Sequence, residues 1–192
     1  MSVQTLPPPS FTPATLDDLL KVEGKAELIG GRIVRHMATG HQPNIVAGRI
    51  FRKLAEFVDS TGMGNAYTDS MGFAIPMLPS GRQSFSPDAS YYNVPPPLNR
   101  MRFVSGPPTF AAEVRSEYDY GPAAEDAMAA KRDDYFAAGT LVVWDVDPGA
   151  SVVDCYRADA PNNPVRFGPG QSADAEPAVP GWKVDVDWLL MA

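Results

Sequence analysis

The chain has 192 residues, 44% of them hydrophobic and 20% charged, a size and composition typical of one globular domain. It has a single cysteine and no apolar run near the roughly 18 residues of a membrane-spanning helix, which excludes an internal disulfide and an integral membrane protein. The formal net charge of −7 disfavours a nucleic-acid-binding function, because contacts to phosphates need Lys and Arg side chains.

Residues 1–14 form a proline-rich arm that we expect to be poorly ordered, and they lack the basic start and apolar stretch of a signal peptide. We therefore expect a cytoplasmic protein in which residues 15–192 form one domain. Thr15, followed by acids in the next turn, predicts a short helix that is ended by Gly24. Residues 26–35 are typical of a hairpin whose two strands meet at Gly30-Gly31.

The clearest predicted helix runs from His41 to Ser60. Its apolar residues recur at helical spacing and define one face, namely Ile45, Val46, Ile50, Leu54, Phe57 and Val58. Strands are predicted around Tyr67, at residues 72–76 and at residues 87–93. A proline-containing loop is predicted over residues 95–108.

The second half of the chain predicts a buried strand at residues 109–114, a helix at 123–138, and strands at 141–146 and 151–157. Cys155 alternates with apolar neighbours in the last of these strands, which favours a buried, unreactive thiol. Residues 162–178 are polar and predicted to be irregular, before a closing segment at 184–190. This order of helices and strands predicts an α/β or α+β fold, with one mixed central sheet flanked by helices.

Two carboxylates lie in or beside short apolar, strand-like runs. Asp88 follows Pro87, and Glu113 lies 25 residues later. Carboxylates in such runs are costly unless they are paired or bound to a metal, and two of them can share one Mg²⁺ that keeps several waters. The backbone carbonyl of Val114 is a candidate third ligand. The alternative is structural: Asp88 in a turn and Glu113 at the end of a strand. Spacing alone leaves both open.

The pair Pro87-Asp88 and Glu113-Val114-Arg115 resembles the bipartite motif of PD-(D/E)XK nucleases. The wider pattern resembles one branch of them, the Uma2 family (also called DUF820). Its pieces occur in order over residues 16–190: residues 27–34, His41, Pro87-Asp88, residues 113–116, Lys131 with Tyr135 and Gly139, Trp144 with Asp147-Pro148, and residues 180–182. The resemblance implies a restriction endonuclease-like core and a catalytic Mg²⁺ or Mn²⁺ held by Asp88, Glu113 and Val114.

The third motif position, usually lysine, is Arg115 in this chain. An arginine can stabilise charge on a phosphate but cannot accept a proton. The family pattern implies that a lysine of the following helix stands in, and Lys131 occupies that place; a solvated helix lysine is the alternative. The segment after Ser116, residues 117–121, also departs from the small, serine-and-proline-rich turn of the family.

Glu27 matches the acid that opens the family pattern, which implies a further ligand for metal or water. The alternative is a structural carboxylate at the start of the hairpin whose hydrogen bonds are satisfied within the protein. The candidate substrate contacts, each also explicable as a solvated surface residue, are His41, Arg49, Arg52, Lys53 and Arg115. Four large aromatic residues are expected in the core or at its rim and not to stack on bases: Tyr91, Tyr92, Trp144 and Trp182.

The leading hypothesis is an Mg²⁺- or Mn²⁺-dependent endonuclease that hydrolyses phosphodiester bonds in DNA, with DNA as its partner. The alternative is a catalytically impaired nuclease fold that binds nucleic acid or protein, which the missing lysine and the acidic charge favour. Hydrolysis of a glycosidic bond by Asp88 and Glu113 ranks last, since no aromatic-rich sugar cleft is evident. A homodimer is expected by analogy with nucleases that cut both strands.

Overall fold

The computed structural model describes residues 12–95, 97 and 99–191. The helices among these residues are α1 (Leu16–Leu19), α2 (His41–Thr61), α3 (Pro122–Ala138) and α4 (Val186–Leu190). The strands are β1 (Ala26–Ile29), β2 (Arg32–Arg35), β3 (Asn65–Thr68), β4 (Phe73–Ala74), β5 (Ser84–Phe85), β6 (Ala89–Tyr92), β7 (Val104–Ser105), β8 (Phe110–Val114), β9 (Val142–Asp147), β10 (Val152–Arg157), β11 (Ala160–Phe167), β12 (Ser172–Asp174) and β13 (Lys183–Asp185). Most of the predicted arm, residues 1–11, lies outside the described residues. No helix in the described ranges is both long and apolar enough to cross a membrane.

Six strands form a central mixed sheet in the order β11-β10-β9-β8-β6-β3. Strands β8 and β9 pair in parallel, and the other neighbouring pairs of this sheet are antiparallel. The parallel pair is joined by α3, since two parallel strands need a long crossover connection. Both strands are buried along nearly their whole length, which explains their continuous apolar sequence. The predicted mixed sheet flanked by helices is confirmed.

The side chains of β8 alternate between the two faces of this sheet, and the alternation decides where Glu113 points. Phe110, Ala112 and Val114 belong to the core beneath α2. Ala111 belongs to a second core, which includes Tyr135 of α3. Glu113 follows Ala111 by two residues, so its carboxylate lies on the face of the sheet that α3 covers.

Helix α2 confirms the helix predicted at residues 41–60. Its buried residues are Val46, Ala47, Ile50 and Leu54. Ile45 was predicted on the same face but is 39% exposed. The residues that face the sheet are Val46, Ile50 and Leu54, which are spaced four residues apart. Gly62 ends the helix with a φ of 69°, a conformation that glycine adopts without strain.

Three local predictions were wrong. The short helix begins at Thr15 with the expected cap but ends at Leu19, well before Gly24. The loop predicted over residues 95–108 contains β7, which pairs with β4. The tail predicted as irregular over residues 162–178 contains most of β11 and all of β12.

Strand β11 is polar because it is the edge of the sheet, with almost every residue exposed or half-exposed. An edge strand of this kind lacks the alternation of apolar residues that reveals a half-buried strand. Pro161 and Pro164 lie within it, and an edge is where a missing backbone N–H is tolerated in a sheet. The antiparallel pairing with β10 defines the strand, and its side-chain pattern does not.

The large aromatic residues lie in the core, as predicted. The rings of Trp144 and Trp182 stack with centroids 5.1 Å apart. Their indole N–H groups donate hydrogen bonds to backbone carbonyls of Asp174, at 2.9 Å, and Lys53, at 3.1 Å. Tyr91 and Tyr92 are also buried. Cys155 is buried as expected, and burial raises the pKa of its thiol to about 11.

The packing of α2 on the sheet is testable with two variants of the same helix. Leu54→Ala should lower the free energy of unfolding by about 2–5 kcal/mol, because a fully buried leucine leaves a cavity when it is truncated. Ile45→Ala, at a position that is 39% exposed, should cost less than about 1 kcal/mol. Urea denaturation followed by circular dichroism measures both. Equal losses for the two variants would contradict this packing.

Candidate active site

A cleft of about 770 Å³ opens at the ends of β6 and β8. One wall comes from the hairpin, with Lys25 before β1 and residues 36–39 after β2. The opposite wall comes from α3 and the segment that leads into it. Asp88, Glu113 and Lys131 all line this cleft. The structure therefore brings together three residues that are spread over 43 positions of the sequence, from Asp88 to Lys131.

Asp88 is held rigidly by the neighbouring strand. Its backbone N–H donates to the carbonyl of Ala112 at 3.1 Å, and its Oδ2 accepts a hydrogen bond from the N–H of Val114 at 2.8 Å. The other oxygen, Oδ1, lies 2.5 Å from Nζ of Lys25. The Asp88 carboxylate is thus locked between β8 and the loop that precedes β1.

Glu113 extends from β8 toward α3. Its Oε1 lies 2.8 Å from Nζ of Lys131 and accepts a hydrogen bond from the Tyr135 hydroxyl at 2.6 Å. None of the described residues donates a hydrogen bond to Oε2. Burial, together with the nearby carboxylates of Asp88 and Glu27, raises the pKa of Glu113, although Lys131 and Lys25 oppose the shift. Negative charge at this carboxylate is therefore only partly compensated.

Lys131 lies on α3, one helical turn before Tyr135, so both side chains reach Glu113 from the same face of the helix. Its side chain is 17% exposed. Burial alone would lower the pKa of Lys131, but the carboxylates of Glu113 and Glu27 outweigh it and raise that pKa. The side chain is therefore a persistent ammonium: a fixed positive charge and a proton donor.

Glu27 lies on β1, is 1% exposed and contacts the cleft through Lys131, which lines it. Its Oε2 accepts a hydrogen bond from Arg82 at 2.5 Å and lies 3.5 Å from Nε2 of His36. Its Oε1 accepts a hydrogen bond from the N–H of Ser86 at 2.9 Å and lies 3.4 Å from Lys131. Burial would raise the pKa of Glu27, but Lys131, His36 and Arg82 together lower it strongly. Both oxygens are engaged, an arrangement that favours a satisfied, positioning carboxylate over an open ligand.

Arg115 occupies the third motif position, but its guanidinium is taken up by two carboxylates. It donates to Asp145 through Nε at 2.8 Å and through Nη2 at 2.9 Å, and it also pairs with Glu125 of α3. Asp145 is 2% exposed and receives a further bond from Arg132 at 3.2 Å. The hydrogen bonds to Asp145 and Glu125 raise the pKa of Arg115 further. This arginine ties β8 to β9 and α3.

The other candidate substrate contacts do not line the cleft within the described residues. His41 is exposed at the start of α2. Arg49 donates to backbone carbonyls of Leu189, at 3.1 Å, and Met191, at 2.6 Å. Arg52 and Lys53 lie 4.7 Å and 5.0 Å from the ring centroid of Trp188. The basic face of α2 thus contacts the C-terminal segment.

Three site residues were missed from the sequence: Lys25, His36 and Arg82. Lys25 precedes Glu27 by two residues, and this spacing in an extended segment could have suggested a shared face. His36 directly follows β2 and contacts Glu27, whereas the histidine matched by the family pattern was His41. Arg82 lies in an irregular loop, where no periodicity indicates which way a side chain points.

The donor atoms of the cleft suit a hard cation. Asp88 and Glu113 present carboxylate oxygens from adjoining strands, and Oε2 of Glu113 accepts no hydrogen bond from the described residues. In the described part of the chain there is no group of three or more His, Cys, Asp or Glu side chains arranged to hold a metal ion. Sites for Mg²⁺ in proteins usually offer one or two carboxylates and leave several waters on the ion.

The chain is similar to known proteins in its fold and in its family pattern. No curated protein matches the chain. A solved structure from Anabaena variabilis, described as a putative nuclease belonging to DUF820, is similar with a TM-score of 0.71 and 18% identity, over 93% of this chain and 98% of that one. At this identity the likeness shows a shared fold. The model of the Uma2 family, described as "Putative restriction endonuclease", matches residues 14–187, and the chain therefore belongs to the Uma2 family.

Proposed function

We propose that this protein is a metal-dependent endonuclease that hydrolyses phosphodiester bonds in DNA. The observation that carries the proposal is the meeting of Asp88, Glu113 and Lys131 in one cleft, with 2.8 Å between Lys131 Nζ and Glu113 Oε1. Membership of the Uma2 family supports a nuclease. The DNA substrate, the metal and the role of each residue are the parts that the experiments below test.

Mg²⁺ or Mn²⁺ is the cofactor that the donor atoms favour. Asp88 and Glu113 would hold it, and the backbone carbonyl of Val114, which lines the same cleft, is the proposed third ligand. When bound, such a cation polarises a phosphoryl oxygen and lowers the pKa of a coordinated water. In the overall reaction the oxygen of a water molecule bonds to phosphorus, one P–O ester bond breaks, and the leaving oxygen takes up a proton.

Lys131 is proposed to stabilise the negative charge that develops on the phosphate. The carboxylates of Glu113 and Glu27 raise its pKa, which favours the charged ammonium. Fixed charges and donors near a developing oxyanion are among the largest contributions to catalysis. Glu27 and Tyr135 are proposed to position this charge, since Glu27 contacts Lys131 and Tyr135 contacts Glu113.

A second candidate is a nuclease fold that binds nucleic acid or protein without cutting. Arg115 favours this reading, because the residue at the usual lysine position is bound by Asp145 and Glu125. The net charge of −7 also favours it. Salt-sensitive DNA binding without cleavage in either Mg²⁺ or Mn²⁺ would support this candidate against the first. The expected homodimer remains a prediction for either.

Asp88→Asn removes the negative charge of a proposed metal ligand and leaves the shape of the side chain almost unchanged. We expect Mg²⁺-dependent nicking of supercoiled plasmid DNA to fall by at least about 100-fold, the scale seen when a group that stabilises transition-state charge is lost. Gel electrophoresis of the plasmid forms measures the rate. Asp59→Asn, at an exposed position on α2, is the matched control and should cut like the native protein. Native cutting by Asp88→Asn would refute the metal site.

Lys131→Met removes the ammonium and keeps the length of the side chain. We expect kcat for plasmid nicking to fall about 100-fold, with Lys131→Arg intermediate because it retains the charge. Thermal unfolding should accompany the assay, since Lys131 also compensates the charges of Glu27 and Glu113. Lys183→Met, at an exposed position, is the control. A folded Lys131→Met variant with native kcat would exclude the proposed role.

A further inference from the structure

We infer that the ammonium of Lys25 competes with the divalent cation for an oxygen of Asp88. This competition weakens the binding of the metal to the site. The inference rests on the proposed function, because it takes Asp88 as a metal ligand. It concerns a residue that the sequence motifs do not include.

The position of Lys25 is fixed by the hairpin. The N–H of His36 donates to the carbonyl of Lys25 at 2.9 Å, which continues the pairing of Ala26 with Arg35 by one more residue. The side chain is only 14% exposed and lines the cleft. Its Nζ lies 2.5 Å from Oδ1 of Asp88. An ammonium held in this way occupies an oxygen that a cation bound to Asp88 could also use.

Cationic side chains already contact the carboxylates of the site. Lys25, Arg82 and Lys131 contact Asp88, Glu27 and Glu113, respectively. A divalent cation that enters the site therefore meets carboxylates whose charge is partly compensated. Of the three cationic side chains, Lys25 is the one that contacts Asp88. Its charge therefore opposes the cation most directly at that ligand.

Lys25 also contacts Asp69, whose Oδ1 lies 2.8 Å from the same Nζ. This second carboxylate is 44% exposed and also lines the cleft. When a cation takes the Asp88 oxygen, Asp69 can hold the ammonium without leaving it unpaired. Lys25 then remains in the cleft as a cation available to a phosphate. The geometry thus predicts weak metal binding by the free protein.

Binding of Mn²⁺ alone tests the inference without reference to activity. Titration followed by the electron paramagnetic resonance of free Mn²⁺ should show Lys25→Gln binding at least about tenfold more tightly than the native protein, since one adjacent charge shifts a neighbour's affinity for a proton by 1–3 pKa units. Lys25→Arg retains the charge and should restore affinity close to native. Lys21→Gln, whose side chain is 75% exposed on the neighbouring turn, is the matched control and should bind like the native protein.

Asp69→Asn is the second variant. It leaves Asp88 as the sole carboxylate partner of Lys25 and should weaken Mn²⁺ binding, whereas Lys25→Gln should strengthen it. Opposite changes in Mn²⁺ affinity for the two variants distinguish competition from a general loosening of the site. Thermal unfolding curves measured in the presence of a chelator verify that each variant folds. Mn²⁺ binding that is lost in Asp88→Asn but unchanged or weaker in Lys25→Gln would overturn this inference alone. Absence of saturable Mn²⁺ binding in both the native protein and Lys25→Gln would overturn the proposed function with it.

Discussion

A buried negative charge organises the interior of this protein. The carboxylate of Glu27 is 1% exposed, and an ionised group so deep in a protein is stable only when opposite charges and donors surround it. Arg82, the backbone of Ser86, His36 and Lys131 supply them. These partners belong to the hairpin, to the segments on either side of β5 and to helix α3, so compensating one charge fixes the relative positions of these parts.

The chemistry at the mouth of the cleft depends on that network. Lys131 contacts both Glu27 and Glu113. The ammonium that compensates the buried charge of Glu27 therefore also favours the ionised form of Glu113. Arg82 continues the network to Asp134 of α3 at 2.8 Å. Helix α3 is thus attached to its surroundings through ion pairs as well as through apolar packing, in which Tyr135 stacks on Phe85 of β5. The ion pairs of the site are formed within the protein itself, without a bound ligand.

The sequence predicted the elements whose side-chain pattern reflects their own burial. The period of α2 and the apolar runs of β8 and β9 belong to this class. The prediction that Asp88 and Glu113 act together had a different basis, an ordered family motif, and the structure places both residues in one cleft. The edge strand β11 could not be predicted, because its stability comes from backbone bonds to β10. Lys25 and Arg82 were missed for a related reason. Their roles depend on which segments meet in space, and no local spacing encodes that.

The two prolines of β11 have a consequence for how copies of this protein can meet. The outer edge of a sheet normally offers a row of backbone donors and acceptors, and another chain can extend the sheet by pairing with it. Pro161 and Pro164 have no N–H to offer, and proline on an edge strand is one of the features that hinder such pairing. Extension of the sheet by a second copy of the protein along β11 is therefore disfavoured.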